Sequence, residues 1–322
     1  MKYFLLFVAL FIILKIYIQI AKQFNIVDQP NFRSSHSEVT VRGGGIIFPI
    51  GVLTWFIYSG FQFPIFFLGL TLISVISFLD DIKQLSSKIR LTVQFGAMLL
   101  LFSELGFQQL PWWMWIIVLI ITTGTINAFN FMDGINGLTG GYSLVVIAGL
   151  WLVNTYQEQF ISNDFIYFIA ITVSVFCFFN FRKKAICFAG DVGSISIAFI
   201  VVFLLAKLII QTGNPLYLLF LSIYAVDTVL TIIYRIKHNE NIFEAHRKHI
   251  YQLLVNEIKI SHLIVATIYS FFQLVICLTT YQAIKINCNT STRWSIGLCI
   301  LVALVLLFAG TRYKINENLT KQ

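Results

Sequence analysis

The stretch Asn127-Ala128-Phe129-Asn130-Phe131-Met132-Asp133-Gly134-Ile135-Asn136-Gly137-Leu138-Thr139-Gly140-Gly141 separates two apolar runs, each about as long as a membrane crossing. Three asparagines, one aspartate and four glycines sit where a continuous span would have none. Glycine lets the backbone leave the helix and approach a ligand closely, and the first turn of the next helix offers free N–H groups to an anion. A carboxylate with carboxamides in such a turn can hold a metal-bound phosphate and the polar edge of a sugar or base. The same residues also make a plain re-entry turn, in which Asn, Asp and Gly satisfy their own backbone. The flanking sequence has to decide between the two.

Outward from this turn the chain is apolar throughout. It is 58% hydrophobic and 11% charged, with a mean hydropathy of +0.84, whereas soluble domains carry roughly 25% charged residues. The reading is an all-α integral membrane protein, one polytopic domain over residues 1–322. About eleven transmembrane helices are expected, near 3–21, 44–60, 63–79, 90–106, 111–129, 138–154, 163–181, 192–211, 215–234, 260–281 and 294–312. Gly43-Gly44-Gly45 and Pro49 interrupt the second of these. The run Tyr3–Ile20 lacks a small-residue cleavage site after it and reads as a retained helix.

One side of this layout holds only Lys2, Lys285 and Arg293, and Lys15 and Lys207 fall inside spans; the remaining lysines and arginines flank the opposite ends. The positive-inside rule makes that basic side cytoplasmic, with the N-terminus outside and the C-terminus inside. The net charge of +8 follows from this bias and from anionic headgroups, so nucleic acid is not needed to explain it. Cys177, Cys187, Cys277 and Cys299 lie in or beside spans and Cys288 faces outward; with no CxxC pair, neither a zinc site nor a disulfide framework is indicated.

The chemistry-bearing residues gather on the basic side. Arg33, His36 and Arg42, next to the glycine triplet, could clamp phosphate through guanidinium and backbone N–H groups, or form a solvated loop. Asp80 and Asp81 end the third span, a costly place for two carboxylates unless they are paired or bind a cation. Gly190-Asp191-Val192-Gly193-Ser194 puts a carboxylate between glycines at a helix start, which suits a magnesium ligand open to a diphosphate and equally an Asp N-cap. His246 and His249 share a face if helical; Arg247 and Lys248 between them disfavour zinc and favour diphosphate or nucleotide, with an amphipathic interfacial helix as the other reading. Asp227 lies within a span and could line the same site, while Lys207, in the outer half, could snorkel outward.

Asp80-Asp81, Asn127 through Gly137, Gly190–Ser194 and Ala245-His246-Arg247-Lys248-His249, in this order and spacing, resemble the polyprenyl-phosphate N-acetylhexosamine-1-phosphate transferases, from about Asp28 to Gln252. The Pro30-Asn31-Phe32-Arg33-Ser34-Ser35-His36 opening looks most like the branch that initiates O-antigen synthesis. The resemblance implies transfer of a sugar 1-phosphate from a UDP-N-acetylhexosamine to undecaprenyl phosphate, with UMP leaving, at the cytoplasmic face of a bacterial inner membrane. It implies Mg2+ or Mn2+ on Asp191, and Asp80 and Asp81 near the lipid phosphate with Asp80 a candidate base. Asn127, Asn130 and Asp133 would line the nucleotide and metal region, His246, Arg247 and His249 would contact diphosphate or sugar, and Arg42 would bind substrate. A homodimer is compatible with this reading. The sequence departs from the family pattern in placing Lys83 directly after Ile82, in carrying Asn136 where an aspartate is usual, and in its Ala-His-Arg-Lys-His-Ile-Tyr loop. A transporter or lipid-binding protein without catalysis is the alternative; it would more often place ionisable groups near the midplane.

Overall fold

The computed structural model describes residues 1–30, 38–242, 244, 246–286 and 289–320. Arg33, His36 and Cys288 lie outside the described residues, as do Phe243 and Ala245 of the histidine motif. The described chain is helical except for one two-stranded ribbon. Helix α1 spans Lys2–Gln23, followed by β1 (Val27–Asp28) and β2 (Thr40–Val41), paired antiparallel. A 3-10 turn at Gly44–Ile46 leads into α2 (Ile47–Tyr58). Then come α3 (Pro64–Ile82), α4 (Ser87–Glu104), α5 (Trp112–Met132), α6 (Leu138–Tyr156), α7 (Asn163–Asn180) and α8 (Gly190–Thr212). A 3-10 segment, Pro215–Leu221, runs into α9 (Ser222–Lys237), and α10 (Ile250–Asn256), α11 (His262–Lys285) and α12 (Thr290–Thr320) complete the chain.

Each of the eleven expected spans coincides with a helix. Nine helices among the described residues are long and apolar enough to cross a membrane. The two that fall short do so for visible reasons: α2 is shortened by the glycine-rich 3-10 turn before it, and α4 carries Lys88, Arg90 and Glu104 in its 18 residues.

Helix starts follow their local chemistry. Ser86, Ser162 and Ser261 accept from the N–H groups of Ile89, Phe165 and Ile264, and Pro64 occupies the first turn of α3, where no N–H is missed. Helix α8 is the central element, buried along most of its length and packed against α2, α3, α5 and α6. Its first turn is pinned by a close approach: a Cβ on Gly45 would lie 2.1 Å from Gly193 Cα, so only glycine lets these backbones touch. Away from that end, Lys2 pairs with Asp164 at 2.9 Å and joins α1 to α7, and the Lys207 ammonium lies over the Phe63 ring at 4.9 Å.

Candidate active site

Asp80, Asp81, Asp133 and Asp191, carboxylates from three distant parts of the sequence, come together at one end of the bundle. Adjacent helical residues point about 100° apart, so the last turn of α3 sends its two aspartates different ways. Asp81 accepts the N–H groups of Asp191 at 2.9 Å and Val192 at 3.0 Å, and pairs with Arg42 Nε at 2.7 Å. Its side chain has 0% exposure. A carboxylate delivered from another helix thus caps the positive end of α8. Asp80 accepts from Leu85 N at 2.7 Å and Arg90 Nη1 at 2.8 Å.

Asp191 is held more loosely than its neighbours. Arg42 Nη2 is 3.4 Å from one oxygen and Arg90 Nη1 is 3.5 Å from the other, and its carboxylate interacts with that of Asp80. Arg42 therefore bridges Asp81 and Asp191, and Arg90 bridges Asp80 and Asp191. Three carboxylates thus share two guanidinium groups. Among the described residues no three His, Cys, Asp or Glu side chains converge to hold a metal by themselves. That donor set still suits a magnesium-like ion, which commonly takes one or two carboxylates and completes its shell with phosphate and water oxygens.

The turn that opened the sequence analysis is built mostly by hydrogen bonds to itself and to α7. Gly137, at φ +83°, donates to Asn180 Oδ1 at 2.8 Å, and Asn180 Nδ2 donates to the Cys187 carbonyl at 2.9 Å. Asn136 Nδ2 donates to the carbonyls of Arg182 and Lys183 at 3.0 and 3.1 Å. A carboxylate could not donate either bond, which explains asparagine at this position. Asp133 accepts from Thr139 Oγ1 at 2.6 Å. It keeps some surface toward the cavity it lines, yet protein atoms crowd its carboxyl. That burial, reinforced by the charges of Asp191 and Asp81 and opposed by the Thr139 bond, pushes its pKa up to about 8.

Two cavities open at this end. The first is polar, about 210 Å³, and its lining includes Asp28, Arg42, Asn130, Asp133, Asn180, Asp191, Gln252 and His262. The second is an apolar groove of about 710 Å³ between α4, α5 and α9, with Arg90, Asn127, Asn130, His246 and His249 on its wall. Asn130 lines both. Asn127, expected with the nucleotide and metal region, instead lines the groove and donates to Thr123 O in its own helix at 3.0 Å. His246 and His249 also border the groove, whereas Arg247 lines neither cavity.

The histidine loop is not helical, so its two histidines do not share a helix face; α10 starts only at Ile250. Their rings are nonetheless 4.9 Å apart. Burial and the nearby His249, Arg235 and Lys248 push the His246 pKa down to about 4, so this ring is neutral at pH 7. Asp227 anchors the loop from beneath and lines neither cavity. It accepts from Ile250 N at 2.9 Å and Tyr269 OH at 2.7 Å, and lies 3.6 Å from His249 Nδ1. Arg312 on α12 donates to Lys248 O at 2.8 Å and to Thr231 Oγ1 at 2.7 Å, and Tyr251 OH donates to Phe131 O at 2.8 Å. The glycine triplet likewise serves the fold. Gly44 and Gly45 donate to the carbonyls of Phe188 and Ala189 at 2.8 and 3.0 Å, so those N–H groups are not free for phosphate.

Sequence reasoning assigned no site role to Arg90, Asn180, Gln252, His262 or Asp28. For Arg90 the signal was present: ten residues after Asp80, it sits one turn into the next helix.

The fold and site are those of a polytopic helical membrane protein with carboxylates and arginines clustered at one end of its bundle. The profile described as Glycosyl transferase family 4 matches residues 63–209, which include Asp80, Asp81, the 127–141 turn and Asp191. The chain is 28% identical over 260 residues to the undecaprenyl-phosphate alpha-N-acetylglucosaminyl 1-phosphate transferase of Escherichia coli (strain K12), covering 74% of this chain and 71% of the relative. It is 26% identical over 257 residues to the probable undecaprenyl-phosphate N-acetylglucosaminyl 1-phosphate transferase of Bacillus subtilis (strain 168), covering 74% and 72%. The Salmonella typhi protein of the same name as the Escherichia coli one is 28% identical over 273 residues, covering 78% and 74%. Over about three quarters of its length the chain is thus similar to undecaprenyl-phosphate N-acetylglucosaminyl 1-phosphate transferases.

Proposed function

We propose that the protein transfers an N-acetylhexosamine 1-phosphate from a UDP-sugar to undecaprenyl phosphate at the cytoplasmic face of the bacterial inner membrane, initiating a cell-surface polysaccharide such as O-antigen. N-acetylglucosamine, the sugar in the relatives' names, is the first donor to test. The observation that carries this reading is the meeting of a polar cavity and an apolar groove at Asn130. A soluble phosphorylated molecule and a lipid need two such compartments with a common border.

In this reaction the phosphate of the lipid sits at the polar end of the groove, beside Arg90, Asn127 and His246. The diphosphate of the donor occupies the polar cavity, between Arg42 and Asp191. A phosphate oxygen of the lipid attacks the sugar-bearing β-phosphorus, the bond from that phosphorus to the α–β bridging oxygen breaks, and UMP leaves. Mg2+ or Mn2+ held by Asp191 would neutralise charge on the diphosphate. Bringing one anion to another is the main electrostatic difficulty, and Arg42 and Arg90 relieve it from opposite sides. A phosphate monoester loses its second proton at about pH 6 to 7 by analogy with phosphorylated side chains, so no strong base is required. Asp80, tied to Leu85 N and Arg90, orients Arg90 in this scheme, and Asp81 acts as a positioning residue by fixing the start of α8. Burial and the charges of Asp191 and Asp81 raise the Asp133 pKa, which favours the protonated form that donates an O–H to the substrate.

Purified protein with undecaprenyl phosphate, magnesium and a panel of UDP-N-acetylhexosamines tests the proposal by UMP release. Release that needs the lipid and is abolished by EDTA supports it. Folded protein that releases no UMP from any donor overturns it in favour of transport or lipid binding.

A further inference from the structure

The apolar groove does not end at the wall of α9. A second apolar cavity, about 200 Å³, lies between α5, α8 and the 215–221 segment, and it shares Ile121, Thr125 and Leu221 with the groove. The two threonines on its wall turn their hydroxyls back to the helix: Thr122 donates to Leu119 O and Thr125 to Ile121 O. They present methyl groups to the space, so the path stays apolar. From Phe131 in the groove to Val118 in the cavity, the lining follows α5 for about 20 Å of helix rise, against a hydrocarbon thickness of about 30 Å.

We propose that this second cavity binds acceptor isoprene units beyond those next to the phosphate, so that the lipid tail follows α5 along a continuous apolar path and the enzyme distinguishes short acceptors from long ones. This rests on the transferase reading above. The occupant is an isoprenoid tail because the cavity continues the groove at whose other end Arg90, Asn127 and His246 stand ready for a phosphate. A separate bulk lipid would need no such continuity.

Ala206 and Leu218 lie on the cavity wall away from the groove. The test compares Ala206→Phe and Leu218→Trp with the unaltered protein, using undecaprenyl phosphate and a phosphate of two or three isoprene units as acceptors. Filling the cavity should raise the KM for undecaprenyl phosphate about tenfold and leave kcat unchanged. Kinetics with the short acceptor should not change, which also certifies that each variant is folded. Leu218 is on the rim, so that variant guards against misfolding of the first. Equal effects on both acceptors, or no effect on either in a folded variant, overturn the proposal. Failure of the unaltered protein to use any acceptor would instead sink the transferase reading.

Discussion

The polar cavity and the apolar groove share Asn130, yet they are built by opposite means. The cavity is assembled across the whole sequence: Arg42, Asp81 and Asp191 meet from an early loop, the end of α3 and the start of α8. Most of its polar groups are engaged with one another, and Asp191 is the looser member. The groove is made from largely apolar faces of α4, α5 and α9, with Arg90, Asn127, Asn130, His246 and His249 on its wall. One is rigid because its charges hold each other; the other is smooth because few of its side chains need a partner. Substitutions at the tightly paired Arg42 and Asp81 should therefore cost fold as well as function, and those in the groove mainly affinity.

The largest expected effect on turnover is at Asp191. Asp191→Asn should lower the rate by about 10²- to 10³-fold, the scale for losing one electrostatic contact to a developing charge, with little change in melting temperature. Near-normal turnover would break the metal assignment. Arg42→Ala should show the other side of the contrast. It leaves the fully buried Asp81 carboxylate without its cation, a loss of about 3 kcal/mol, visible as a lower melting temperature in detergent before any substrate is added. A variant as stable as the parent would mean that the α8 N–H groups suffice for Asp81.

A smaller effect is expected beneath the groove. Asp227→Asn weakens the acceptor for Ile250 N and Tyr269 OH and should cost about 1–2 kcal/mol, with a rise in acceptor KM as the histidine loop loosens. An unchanged acceptor KM would separate Asp227 from the groove. A further test concerns pH and reads a slope rather than a single loss. With Asp133 raised from 3.8 to about 8, the folded state binds more protons than the unfolded one between those values, so this group's contribution to stability falls as pH rises through that window. Asp133→Asn should therefore gain melting temperature relative to the parent from pH 4 to pH 8. A constant difference across the series would contradict the shift.

Much of the frame was legible before the structure. Long apolar runs broken by polar turns marked the helices, and carboxylates at span ends marked the site, because burying them is costly without partners. The pairing was not legible. Nothing in the local sequence says that Asp81 caps a helix 110 residues away, or that Asn180 and Asn136 tie the turn to the end of α7 and the loop after it. The histidine spacing suggested one helix face, but helix α10 begins only after His249, with Asp227 bound to its first N–H. Local pattern gives the segments; these contacts depend on how distant segments pack.

Two-substrate kinetics on one variant from each compartment tests the central claim most directly. Val229→Trp narrows the groove, and Asp28→Ala alters the polar cavity. The account predicts that the first raises only the KM for undecaprenyl phosphate and the second only the KM for the UDP-sugar. If either variant raised both constants equally, the two substrates would share one compartment and the account would be wrong.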